Sequence, residues 1–190
     1  MNQKGKSMKN KVMIGAAMSI IILSIVGLFW MNQQKDNNQE VESAESKFGE
    51  VVTESRSYIG EVVSGPYVTP TITQDQIIIS FDEVESSGIV NFDIENNEGT
   101  LVPMMAYITP SGRLFAGSSM CEPCRGRTFS LAGETLVCDT CRTTYDIETH
   151  EFIKGAIVCG QYPPEYMEPI VDDGQIIIDL NKVLVWRTRI

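Results

Sequence analysis

Four of the five cysteines in this 190-residue chain are spaced C-x2-C-x13-C-x2-C: Cys121-Glu122-Pro123-Cys124 and Cys138-Asp139-Thr140-Cys141. Two residues between cysteines let both sulfurs of a tight turn point at one metal, while N–H groups of that turn hydrogen-bond the thiolates and offset their charge. Two such knuckles make a four-thiolate site, and the chain is expected to fold with two separate turns that face each other. The stretch Cys121 to Phe129 is echoed by Cys138 to Tyr145, one residue shorter, with an arginine and then a Thr-aromatic strand after each pair. That repetition predicts knuckles related by a pseudo-twofold axis. Cys121, Cys124, Cys138 and Cys141 are therefore the candidate cofactor and metal ligands, with a spacer slightly shorter than the usual zinc pattern.

The run Val12 to Met31 carries no charge, and at about 1.5 Å per helical residue it is long enough to span the hydrocarbon core. Lys4, Lys6, Lys9 and Lys11 precede it and only Lys35 follows closely, which predicts a cytoplasmic N-terminus and an extracytoplasmic remainder. The segment ends in Leu28-Phe29-Trp30-Met31, which lacks a small-residue cleavage site, so it reads as an uncleaved single-pass anchor in the cell membrane. Removing residues 1–31 leaves 11 basic and 25 acidic groups, a balance of -14, which repels a phosphate backbone and makes nucleic acid a poor partner. Residues 32–67 are polar and acidic and read as a tether, with a short helix before Gly60.

An extracytoplasmic location keeps disulfides open as an alternative for the knuckles. Against it, disulfide staples usually close long loops, whereas a C-x2-C bridge closes a small ring. Cys159 sits in the Gly- and Pro-rich stretch 155–164, read as neither helix nor strand, and is a buried small hydrophobe, a resolving thiol or an alternative metal ligand. The lone His150 reads as an exposed residue at a hairpin tip. Asp75, Asp82, Glu83, Glu85, Asp93 and Glu95 read as a solvated sheet face. No Ser/His/Asp set or phosphate-binding glycine loop is present, which argues against a hydrolase.

From residue 68 to 190, short apolar runs separated by turn residues predict an all-β, mostly antiparallel domain. Ile89 to Glu95 alternates apolar and polar residues like a half-buried strand, and Asn96-Asn97-Glu98-Gly99 turns it into a strand over 101–109. Pro103 argues that this second strand lies at a sheet edge or carries a bulge. The runs Gln76 to Phe81 and Gln175 to Leu180 echo one another and are expected at similar strand positions.

Residues from about 75 to 186 resemble the FtrD-like family of membrane-anchored, iron-sulfur-type proteins found with bacterial iron-uptake permeases. The residues that carry the resemblance are Cys121-x-x-Cys124, Leu136-Val137-Cys138-x-x-Cys141, Gly155 followed by Cys159 and Pro163, and the closing Asp173 to Ile178 strand. The same region is distantly similar to Rieske domains in Tyr145 to Phe152 and in the Pro163-Pro164 loop before a terminal hairpin. It departs from them where Cys124 and Cys141 stand in place of the two histidines. These resemblances imply a small Rieske-like or zinc-ribbon-like β domain behind the anchor and a 2Fe-2S cluster passing electrons beside an iron permease. An all-thiolate cluster would be hard to reduce, nearer the plant-type value of about -400 mV than a Rieske potential. The alternative is a non-redox module on the same cysteines, holding structural zinc or capturing iron or copper. Dithiol exchange lacks the βαβ context it requires.

Overall fold

The computed structural model describes residues 46–190. The anchor expected over 12–31 and the first part of the expected tether lie outside these residues, and no helix among the described residues is long and apolar enough to cross a membrane. The described chain is mostly antiparallel β-structure in three sheets.

The middle sheet has β5 (Leu101–Ile108) between β4 (Ile89–Glu95) and β6 (Leu114–Ser118). Strand side chains alternate between faces, and here both faces are covered. Val90, Phe92, Ile94, Met104, Ala106 and Ala116 join one apolar cluster, while Ile89, Met105, Tyr107 and Phe115 join another. Of the polar positions of β4 only Glu95, at its end, is exposed: Asn91 is buried and donates to Gly65 O at 3.0 Å, and the half-buried Asp93 pairs with Arg127 at 2.6 Å. Pro103 also sits in the central strand. Its carbonyl accepts from Ser119 N at 2.8 Å, just past the end of β6, so its missing N–H removes no ladder bond within the β5–β6 pairing.

The first cluster packs against a sheet ordered β11 (Ile170–Asp172), β12 (Gln175–Asp179), β3 (Gln76–Ser80), β2 (Thr71–Ile72). The two echoing runs are β3 and β12, and they pair with each other in antiparallel register, Gln76 opposite Asp179 and Ser80 opposite Gln175. Each then enters a short helix, α1 (Phe81–Ser87) capped by Ser80 and α3 (Leu180–Leu184) capped by Asp179. Asp82, Glu83 and Glu85 accordingly belong to a helix and not to a sheet face.

The second cluster packs against a sheet ordered β1 (Val62–Ser64), β7 (Phe129–Ala132), β8 (Thr135–Cys138), β9 (Thr144–Asp146), β10 (Phe152–Lys154). Strand β1 lies in the expected tether, where it pairs with β7, and Phe48 and Tyr58 are buried in the second cluster. No helix precedes Gly60 among the described residues. The folded unit thus begins well before residue 68, because these apolar side chains fill the face of the middle sheet that the cysteine-bearing sheet leaves open.

Candidate metal centre

Both knuckles rim the second cluster, the first between β6 and β7 and the second between β8 and β9. Their backbones share the bond that closes each turn. Cys121 N donates to Gly126 O at 2.8 Å, and Cys138 N donates to Thr143 O at 2.9 Å, each spanning five residues. The residue after the second cysteine is left-handed in both, Arg125 at φ 60° and Arg142 at φ 62°, a conformation that costs a non-glycine residue roughly 1 kcal/mol. In both knuckles the first cysteine is buried and the second half-buried.

This local symmetry makes the sulfurs converge. All four Sγ atoms lie within 4.8 Å of one another. Two contacts join different knuckles, Cys121 to Cys141 at 3.7 Å and Cys124 to Cys138 at 3.8 Å, far beyond the S–S bond of about 2.05 Å. Gly126 permits the approach: a Cβ there would meet Cys138 Sγ and Thr140 Oγ1, each at 2.9 Å. Gly155 does the same behind the second knuckle, where a Cβ would stand 2.6 Å from Thr143 Cα.

The two knuckles differ electrostatically. Cys121 is pushed well above the ordinary thiol range by its hydrogen bond with Cys138 and by burial. Cys138 is brought down to about 5 by that same bond, against burial and with help from the N–H groups of Cys141 and Thr140. Pro123 occupies the place of Thr140 in the first knuckle and has no N–H to give. Burial raises Cys124 to about 11, although Gly126 N donates to its sulfur at 3.4 Å. Cys141 lies below its ordinary value because its bonds with Thr143, whose hydroxyl is 3.2 Å away, outweigh its burial. Two thiols face two thiolate-prone sulfurs, and a soft cation would ionise the remaining pair by displacing their protons.

Four sulfurs at this spacing suit a thiophilic ion, since thiolate ligation at about 2.3 Å in a tetrahedron gives sulfur–sulfur edges of about 3.8 Å. Cys159 does not join them. The stretch around it forms one turn of helix, α2 (Ile157–Gly160), its thiol is buried, and its carbonyl accepts from Tyr145 Oη at 2.6 Å.

Two features were not foreseen. Glu122, between the first two cysteines, is 1% exposed and meets Arg189, whose Nε and N reach its two oxygens at 2.6 and 2.5 Å. Arg189 also donates to Pro163 O at 2.8 Å and lies 5.5 Å from the Tyr162 ring centroid, tying the chain end to the first knuckle. His150 is buried instead of exposed. Its Nδ1 is 3.1 Å from Pro164 O and its Nε2 2.8 Å from Tyr107 Oη, and Phe48 and Phe115 pack against its ring. Burial depresses it to about 4, so it is neutral.

The family described as "Membrane iron-sulfur containing protein FtrD-like" matches residues 84–189, which include the middle sheet, both knuckles and Arg189. The chain belongs to this family. No curated protein and no solved structure matches it. FtrD-like membership supports an iron-sulfur, metal-binding character for the centre, and the four neighbouring cysteines can bind a metal.

Proposed function

We propose that this FtrD-like protein is an extracytoplasmic electron carrier for iron uptake, tethered by a single-pass anchor with its N-terminus in the cytoplasm and working beside an iron permease. Cys121, Cys124, Cys138 and Cys141 ligate its iron. The observation that carries the reading is the convergence of four sulfurs from two matched knuckles, in a family described as membrane iron-sulfur proteins. Bound there, iron supplies one-electron chemistry. The protein residues hold the centre rigidly, which limits reorganisation when charge changes: Cys121 and Cys138 anchor it in the apolar cluster, while Cys124 and Cys141 form its accessible side. N–H donors from Thr140, Cys141 and Gly126 stabilise thiolate charge. The distinctive test is anaerobic purification of the full-length chain from membranes, followed by redox titration. Visible absorption that bleaches on reduction and returns on oxidation is expected, and a colourless zinc protein would end the electron-transfer reading.

A second reading rests on the sulfur spacing itself, which matches zinc–thiolate geometry. In that case zinc fixes the loops, or the thiolates capture iron or copper for delivery. Elemental analysis of the same preparation separates these readings.

A further inference from the structure

We infer that the four thiolates take one metal ion in a tetrahedral site, and that the chain does not hold the sulfide-bridged 2Fe-2S cluster which its family resemblance suggests. The inference rests on the metal-ligand assignment proposed above and sharpens it to nuclearity. In a 2Fe-2S cluster two thiolates bind each iron, and sulfur pairs on different irons are separated further by the metal–metal distance. Only the pairs sharing an iron keep the edge of a single tetrahedron, about 3.8 Å for ligands at about 2.3 Å. Here the contacts at 3.7 and 3.8 Å involve all four sulfurs, and the largest separation of any two is at most 4.8 Å. However a diiron cluster divided the four ligands between its irons, sulfur pairs now at most 4.8 Å apart would have to open to the wider separation of ligands on different metals.

The walls oppose that movement. Gly126 places the first knuckle directly on Cys138 and Thr140, and Gly155 seats the second against its neighbour strand's exit. Backbone bonds from Cys121 to Gly126 and from Cys138 to Thr143 close each turn, while the Glu122–Arg189 pair holds the outer side of the first. A single ion needs no opening. The binding reaction is an exchange of protons for one divalent cation: each cysteine that is still a thiol gives its proton to water as its sulfur becomes a ligand. No inorganic sulfide enters the balance, so a domain on the outer side of a membrane can be loaded by the free ion alone.

The test uses the full-length chain in detergent, freed of metal under anaerobic reducing conditions and offered ferrous iron with or without sulfide. One iron per chain in both cases, no acid-labile sulfide, and an X-ray absorption spectrum with one sulfur shell and no metal–metal vector are expected. Two irons and two labile sulfides per chain would overturn the single-ion inference while leaving electron transfer intact. Protein purified with one zinc and unable to retain iron would uphold the single-ion site and sink the electron-carrier reading. A chain that binds neither metal with its thiols reduced would overturn both.

Discussion

Removal of the Arg189 side chain should loosen the first knuckle in particular. The guanidinium neutralises a carboxylate that is 1% exposed and belongs to Glu122, the residue that follows Cys121 in the first knuckle. Breaking a fully buried ion pair from one side costs about 3–5 kcal/mol, because the surviving charge is left desolvated. Arg189 is 37% exposed, so solvent screens part of the interaction, and its backbone N–H still reaches Glu122 in Arg189→Ala. Those discounts bring the expected loss to roughly 2 kcal/mol, about 30-fold in an equilibrium constant. The stranded carboxylate can recover hydration by swinging its knuckle outward, which carries Cys121 and Cys124 with it. Metal release to an excess of chelator should therefore accelerate by an order of magnitude or more in full-length Arg189→Ala. Arg189→Lys should fall between the two, keeping charge without the forked geometry. The double variant Glu122→Gln/Arg189→Ala should release metal more slowly than Arg189→Ala, since a buried amide costs less than a buried unpaired carboxylate. Release within twofold of wild type in Arg189→Ala, with no difference in the double variant, would refute this account.

Gly126→Ala should weaken metal binding about tenfold or more, because the new methyl overlaps Cys138 Sγ and Thr140 and overpacking typically costs 1–3 kcal/mol; competition with a chromogenic chelator measures it. Cys138→Ser should abolish stoichiometric metal binding, whereas Cys159→Ser should keep one equivalent and lower unfolding stability by about 1–2 kcal/mol, as a hydroxyl replaces a thiol in an apolar site. The neutral burial of His150 predicts acid sensitivity: its folded value of about 4 lies below the unfolded value of about 6.5, so unfolding takes up a proton at low pH. The resulting penalty is absent above about pH 6.5, grows as pH falls towards 4 and levels off near 3 kcal/mol. Denaturant titrations of wild type and His150→Gln at a series of pH values should converge in slope against pH if His150 is not the source.

Much of the site was legible because its information is local. A C-x2-C turn is fixed by its own backbone bonds, and the Arg125/Arg142 correspondence visible in sequence reappears as the same left-handed residue in each knuckle. The β3/β12 echo was legible for a related reason, although only the fold shows that the two strands pair with each other. The errors arose where distant residues decide the environment. Phe48 and Tyr58 sit in a polar stretch with no regular apolar period, yet they fill the second cluster. His150 looks exposed in Glu148-Thr149-His150, but Phe48 packs on its ring and Lys47 N donates to Glu148 O at 3.2 Å, covering the turn from about a hundred residues away. Arg189 finds Glu122 by the same kind of long return, which charge counting along the chain cannot reveal.

The symmetry of the knuckles and its breaking have different consequences. Matched backbone bonds and matched left-handed arginines set where the four sulfurs stand. The residues that differ at equivalent places then set how each sulfur is held. Pro123 withholds the N–H that Thr140 gives Cys138, Gly126 supplies close approach where Thr143 supplies a hydroxyl, and Glu122 is clamped by Arg189 where Asp139 accepts from Ser130 Oγ at 2.7 Å. Exchange of these residues between knuckles would therefore leave the convergence largely intact and alter the proton inventory of metal binding. A Pro123→Thr chain should bind metal at the same stoichiometry while lowering the Cys121 thiol, because the restored N–H can point at its sulfur as Thr140 N points at Cys138. The pH at which the Cys121 thiol ionises, followed by thiolate absorbance in the metal-free, reduced chain, should fall in that variant; an unchanged midpoint would mean that the hydrogen bond from Cys121 to Cys138, and not the missing N–H, governs the asymmetry.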